Sequence, residues 1–167
     1  MLGKTEVLKR LDEWQIAYEC EEHESVLNMA ESGTLTLSVS GARCKNLLLQ
    51  DKAGQFFLVV TTADKSLDLA AAAAILGSKR LSFASADKLF DLLGIRTGSL
   101  SPLALVNDEA KRVTLVIDAH LNGETRFLFH PLENTASVSL SRSGLDDFLA
   151  HVGHAANWLS LPARAQA

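Results

Sequence analysis

The sequence predicts a single mixed α/β domain, a β-sheet with helices packed on it. Apolar positions at helical spacing alternate along the chain with short runs suited to strands. Several helical segments open on a hydroxyl residue and stop at a glycine. No repeat, low-complexity linker or composition break divides the 167 residues, a length that supports one sizeable core.

In chain order, Val7, Leu8, Leu11 and Trp14 mark one helical face, with Thr5 as its expected cap. IAYEC reads as a short strand, residues 25–34 as a short helix ending near Gly33, and Leu35, Leu37 and Val39 as a half-buried strand. Lys45-Asn46 stands at the mouth of NLLLQ, which pairs with QFFLVVTT across Asp51–Gly54 as a hairpin. Ser66 opens a helix through the alanine run to Gly77. RLSFA is a strand, and Ser85 caps Ala86 to Leu93 before Gly94. VTLVID and RFLFH flank a turn at Asn122-Gly123, and ASVSL alternates apolar and hydroxyl residues as a strand. Ser143 and Asp146 resemble a capping signal for a last helix, Leu145 to His151. The domain is expected to span residues 1–160, with 161–167 a frayed tail.

Composition narrows the function classes. No stretch approaches 18 apolar residues, and MLGKTEVLKR lacks the apolar core of a signal peptide. Cys20 and Cys44 form no CxxC, so a reduced cytoplasm is the expected location, with no membrane partner. A net charge of −4 argues against coating nucleic acid non-specifically, yet leaves room for a local basic patch that grips one RNA terminus.

P-loop, GxGxxG, HEXXH and GxSxG motifs are all missing. His151 and His154 could share a metal only with further ligands, and no acidic or cysteine partner stands at ligand spacing. Cys44 beside Lys45 is a thiolate candidate, weighed against the commoner buried, inert cysteine. His130 ends a strand before Pro131, where it is either an edge histidine or part of a site. The loop GSLSP, Gly98 to Pro102, is a turn whose N–H groups could hold an anion or a carbonyl. Lys65, Lys79, Arg80 and Lys88 read as solvated unless the fold gathers them.

Taken in order, KNLLLQDKAGQFFLVV, DKSLDL, GSKRLSFAS, LLGIRTGSLSPLALVND and FHPLENTASVSLS resemble one family, from about Glu22 to Leu149. It is the YbaK/prolyl-tRNA synthetase-associated editing domains, in the free-standing branch similar to the synthetase's inserted domain. The resemblance implies a twisted mixed sheet flanked by helices, no metal or organic cofactor, and hydrolysis of alanine wrongly esterified to tRNA(Pro). The implied partners are the acceptor end of the mischarged tRNA(Pro) and prolyl-tRNA synthetase.

By the same resemblance Lys45 engages the terminal adenosine region, with Asn46 beside it. Gly98 and Ser99 belong to the GxxxP loop, which faces the ester carbonyl, and His130 to the HPLxNTA block. Arg80, Ser101, Pro102, Leu103 and Asn134 are expected to contact substrate. Departures fall at Glu24 and Ser25, where many relatives carry prolines, at Leu48 and at Leu103. Removal of cysteine or serine instead of alanine, or binding of aminoacyl-tRNA without chemistry, are the competing functions.

Overall fold

The computed structural model describes residues 1–25 and 37–165. Eight strands form one mixed sheet: β1 (Tyr18–Glu22), β2 (Ala42–Asp51), β3 (Phe56–Thr62), β4 (Leu81–Phe83), β5 (Val113–Asp118), β6 (Arg126–Phe129), β7 (Ala136–Ser141) and β8 (Ala156–Leu159). Their order is β1-β7-β6-β2-β3-β5-β8, with β4 lying against β2. The helices are α1 (Lys4–Glu13), α2 (Leu69–Leu76), α3 (Ala86–Leu93) and α4 (Arg142–Val152). The β2–β3 hairpin is antiparallel, whereas β3–β5, β5–β8 and β2–β6 are parallel.

Two cores flank the sheet. The larger joins Val7 and Leu11 of α1, Leu89, Leu92 and Leu93 of α3, and Leu145, Phe148 and Leu149 of α4 to Cys44, Leu48, Leu58 and Val60. The smaller packs Ala72 and Ala73 of α2, with Leu67 and Leu161, on Leu49, Phe57, Val59 and Val116. Side chains of a strand alternate between its faces. The alternation in β2 therefore puts Asn46 on the larger-core side with Cys44 and Leu48, and Lys45 on the opposite side with Leu47 and Leu49.

The sheet is split beside these two residues. Strand β6 pairs with β2 only at Ala42 and Arg43, and β4 only at Leu49 to Asp51. Among the described residues, Cys44 to Leu47 have no strand partner on that edge; the next bond is from Ala84 N–H to the Leu48 carbonyl, at 2.9 Å. Lys45 and Asn46 thus stand inside a ten-residue strand, back to back at a gap in the sheet, and not at the strand's mouth.

Several expected boundaries move. Gly3, not Thr5, precedes α1, and its N–H meets the Glu6 carboxylate at 3.2 Å. Asp68 displaces Ser66 as the cap of α2, accepting from Ala71 N–H at 3.0 Å. Ser141 displaces Ser143 at α4, accepting from Gly144 N–H at 3.0 Å, so that helix starts three residues early. Ser85 and Gly94 bound α3 as expected, with Gly94 at φ 68°. Leu37 to Val39 form no strand, because the Glu21 carboxylate takes the Ser38 N–H (2.6 Å) and hydroxyl (2.7 Å), the former a ladder donor otherwise. The helix expected at 25–34 and Leu35 fall, Ser25 apart, outside the described residues.

Of the expected frayed tail, Leu161, Ala163 and Arg164 are instead tied into the fold. Strand β8 pairs with β5, and Leu161 is buried in the smaller core. Ala163 bridges Leu67, and Arg164 N–H donates to the Ser66 carbonyl at 2.7 Å. Buried apolar contact at Leu161 is what the short, polar look of PARAQA conceals.

Candidate active site

On the larger-core side, Asn46 and His130 line one cleft with Leu37, Cys44 and Ser137. His130 follows β6, and Nδ1 lies 2.9 Å from the Ala136 carbonyl. A carbonyl only accepts, so Nδ1 carries the proton and the neutral ring keeps its lone pair on Nε2. Burial pushes the His130 pKa below the usual histidine value, and the nearby His23 pushes the same way, against the hydrogen bond to Ala136. His130 is accordingly neutral at pH 7.

The GSLSP loop docks directly on this histidine. Ser101, fully buried, donates its hydroxyl to the His130 carbonyl at 2.6 Å and accepts from Leu103 N–H at 3.2 Å. Gly98 adopts φ 90°, a left-handed value that a side chain rarely tolerates. Ser99 N–H is taken by the Arg96 carbonyl at 3.2 Å. The N–H groups of Gly98, Leu100 and Ser101 have no protein partner among the described residues. Pro102 opens a 3₁₀ turn, Pro102–Asn107, and Leu103 is wholly buried in the core, where it props the loop from behind.

Asn46 supplies the anomaly. Its side-chain oxygen is buried and has no hydrogen-bond partner among the described residues. An unpaired buried acceptor costs about 1–3 kcal/mol, and one that lines a cleft is a candidate to accept from a ligand or a water.

Lys45 is a different case. Its ammonium donates to the Lys65 carbonyl at 2.6 Å, leaving two of its three protons without a partner among the described residues. Lys65 itself is clamped: its ammonium meets Asp118 (2.6 Å), the Leu161 carbonyl (2.6 Å) and His120 Nδ1 (2.7 Å). Burial alone would raise the Asp118 pKa, but bonds from Lys65, the Thr61 hydroxyl and His120 N–H outweigh it and hold the carboxyl below the ordinary range. The side chain of a lysine so engaged is largely buried and not available to a phosphate, contrary to its reading as a solvated residue.

The remaining expectations separate. Arg80 is exposed beside β4, whose Leu81 pairs with Asp51. Six residues of strand, about 20 Å at the usual rise, divide that point from Lys45. Asn134 accepts from the Ser25 hydroxyl at 3.0 Å and is not among the residues lining the Asn46–His130 cleft. Cys44 is buried and its thiol is pushed up to about 12 by burial, which removes it as a nucleophile. His154 pairs with Asp108 at 3.2 Å while His151 stacks on Trp14 at 4.5 Å, so the two do not converge on one point.

Three participants escaped the sequence as local signals. His23 sits 6.2 Å from His130, ring to ring, with its Nε2 on the Ser137 hydroxyl at 2.8 Å. Asp118 is hidden at the end of an apolar strand, VTLVID, where its burial gives it away only once β3 and β5 are paired. Arg164 reaches the Lys45 side through a segment read as a free tail.

The model of the aminoacyl-tRNA editing domain matches residues 23–148. Over 155 residues, 92% of this chain and 94% of the relative, the sequence is 36% identical to prolyl-tRNA editing protein ProX of Acetoanaerobium sticklandii. It is 35% identical to prolyl-tRNA synthetase associated domain-containing protein 1 of Danio rerio, over 89% of this chain and 80% of that one. A crystal structure of a candidate trans-editing enzyme for prolyl-tRNA synthetase superposes with a TM-score of 0.69 at 16% identity, covering 98% of this chain and 99% of the other. That likeness bears on the fold.

Proposed function

The chain belongs to the aminoacyl-tRNA editing domain family, and from that premise we propose that it hydrolyses alanine mischarged on tRNA(Pro), acting in trans. The observation that carries the chemistry is the cleft where the unpaired oxygen of Asn46 and the neutral His130 meet, with the GSLSP loop docked on that histidine. The ester needs a positioned water and a place for negative charge, not a nucleophilic side chain. His130 Nε2 takes a proton from water as its oxygen bonds to the ester carbonyl carbon. The oxyanion rests on loop N–H groups of the Gly98–Ser101 stretch, where those of Gly98, Leu100 and Ser101 have no partner among the described residues. Collapse breaks the bond to the ribose oxygen, which recovers the proton, giving free alanine and uncharged tRNA.

The other expected residues take supporting parts. Asn46 accepts a hydrogen bond from the substrate, and Asn134 borders the entrance. Lys45 spends its two remaining protons on the terminal nucleotide, and Arg80 touches RNA further out. Editing answers a physical need. A synthetase pocket shaped for proline cannot strongly reject the smaller alanine, since a missing methylene is worth about 1–3 kcal/mol.

Turnover with Ala-, Cys- and Ser-tRNA(Pro), at protein concentrations far below substrate, tests the reading. The expected result is multiple turnover with alanine fastest. Faster removal of cysteine or serine reassigns the substrate, and binding without turnover makes the protein a carrier of aminoacyl-tRNA.

A further inference from the structure

On the Lys45 side, a groove of about 340 Å³ is walled by Lys45, Leu47, Asp68, Leu69, Phe83 and Arg164. We propose that this groove binds the nucleotide preceding the terminal one, Phe83 stacking on its base and Arg164 taking its phosphate. The proposal rests on the editing reading for the identity of the RNA, a single-stranded acceptor end.

Phe83 is the first observation. It is 63% exposed, on a strand only three residues long. Its register partner is Leu49, which places its ring on the same face as Lys45 and Leu47. The other exposed phenylalanine, Phe90, is covered by Arg96 at 4.7 Å, whereas Phe83 has no aromatic or cationic cover among the described residues.

Arg164 is the second. Its backbone is fixed by the bond to Ser66 and the Ala163–Leu67 bridge, yet its guanidinium makes no hydrogen bond or ion pair among the described residues. The anchored backbone fixes the root of this side chain at the groove and leaves its charged head free to meet an anion. The groove's one carboxylate, Asp68, is occupied in capping α2. Two cations, a bare ring and an apolar floor of Leu47 and Leu69 match the needs of single-stranded RNA, phosphate neutralisation plus base stacking. The volume lies within the usual range of small-ligand sites, about 300–1,000 Å³. Position agrees as well: Phe83 pairs with Leu49, four residues from Lys45 along β2, about 13 Å at the strand rise, so a chain leaving Lys45 meets it next.

Binding of uncharged RNA separates this site from the chemistry. Fluorescence anisotropy would compare adenosine monophosphate with the trinucleotide CCA, on wild type, Phe83→Ala, Phe83→Tyr, Arg164→Gln and the control Phe90→Ala, each checked by thermal melting. The trinucleotide should bind wild type more tightly than the mononucleotide. Phe83→Ala should weaken the trinucleotide about tenfold, in line with base–aromatic stacking, and Phe83→Tyr should restore it. Arg164→Gln should flatten the salt slope by about 0.7, one single-strand phosphate. Phe90→Ala should change neither ligand. The proposal is overturned if the trinucleotide gains nothing over the mononucleotide, or if Phe83→Ala weakens both equally or neither. Because no ester is involved, a protein that passes here and fails to deacylate Ala-tRNA(Pro) keeps this site and loses the editing assignment.

Discussion

On one face of β2, Asn46 holds a buried amide oxygen that nothing in the described structure satisfies; on the other, Lys45 is fastened to a run of short bonds leading through Lys65 to Asp118. Neighbours in sequence therefore live in opposite regimes. On the Asn46 face one polar atom is left unsatisfied among otherwise apolar neighbours such as Cys44 and Leu48. The Lys45 face is braced, with β3, β5 and the C-terminal segment all contributing to hold one ammonium in place. Between β4 and β6, no strand among the described residues pairs with Cys44 to Leu47 on that edge, so under the proposed function one substrate can reach both faces. The difference teaches that a two-residue motif can divide labour between reaction and anchoring simply through the two-residue period of a strand.

The sharpest way to break the comparison is to remove the brace. Lys65→Met leaves Asp118 buried without its counter-charge, and breaking such a pair costs about 3–5 kcal/mol. Urea unfolding should register that loss, and the double variant Lys65→Met/Asp118→Asn should recover part of it. A change under about 1 kcal/mol, the scale of an exposed ion pair, would mean the brace is solvent-coupled. The sign of the pH effect follows from the lowered Asp118 pKa. Its stabilisation is present above the unfolded carboxylate pKa and lost as pH falls through the lower folded value.

The reaction face is next in size. His130→Ala should slow deacylation by about a hundredfold or more, as loss of a general base does. In the wild type, the midpoint of His130 protonation lies below the ordinary histidine value of 6.5, since burial lowers its pKa. The rate should stay level from pH 8 to 7 and fall on the acid side. An acid limb centred above pH 7 would assign the base to another group.

Lys45→Ala comes third. It should cost about tenfold, roughly 1.4 kcal/mol of transition-state stabilisation, with little change in melting. Equal rates and equal melting would remove Lys45 from substrate contact and leave its face purely structural.

Much of this architecture was legible from residues alone. Asp51–Gly54 announced the hairpin, and Ser85 with Gly94 bounded α3, because turn and cap chemistry is local. The errors share a cause: Ser66 and Ser143 are good caps that lost to Asp68 and Ser141, whose side chains the fold aims at free N–H groups. Leu37 to Val39 lost their strand to one carboxylate on β1, a contact across seventeen residues. Of the site, the polar pair, the loop and the histidine stood out as residue types, while their meaning came from the family resemblance. What no local pattern could reveal was the split in the sheet, since it depends on where β4 and β6 stop. Arg164 was invisible for the same reason, its place being set by pairing with residues near Ser66.

A cleft that edits alanine as proposed must also spare proline, the cognate amino acid. Proline carries two more carbons than alanine, and overfilling a packed pocket costs about 1–3 kcal/mol. Side-by-side deacylation of Ala-tRNA(Pro) and Pro-tRNA(Pro) by the wild-type protein tests it most directly. Alanine should be released and proline spared, by a rate ratio of about ten or more. Equal rates on the two charged tRNAs would contradict size exclusion, and release of neither would contradict the hydrolytic assignment itself.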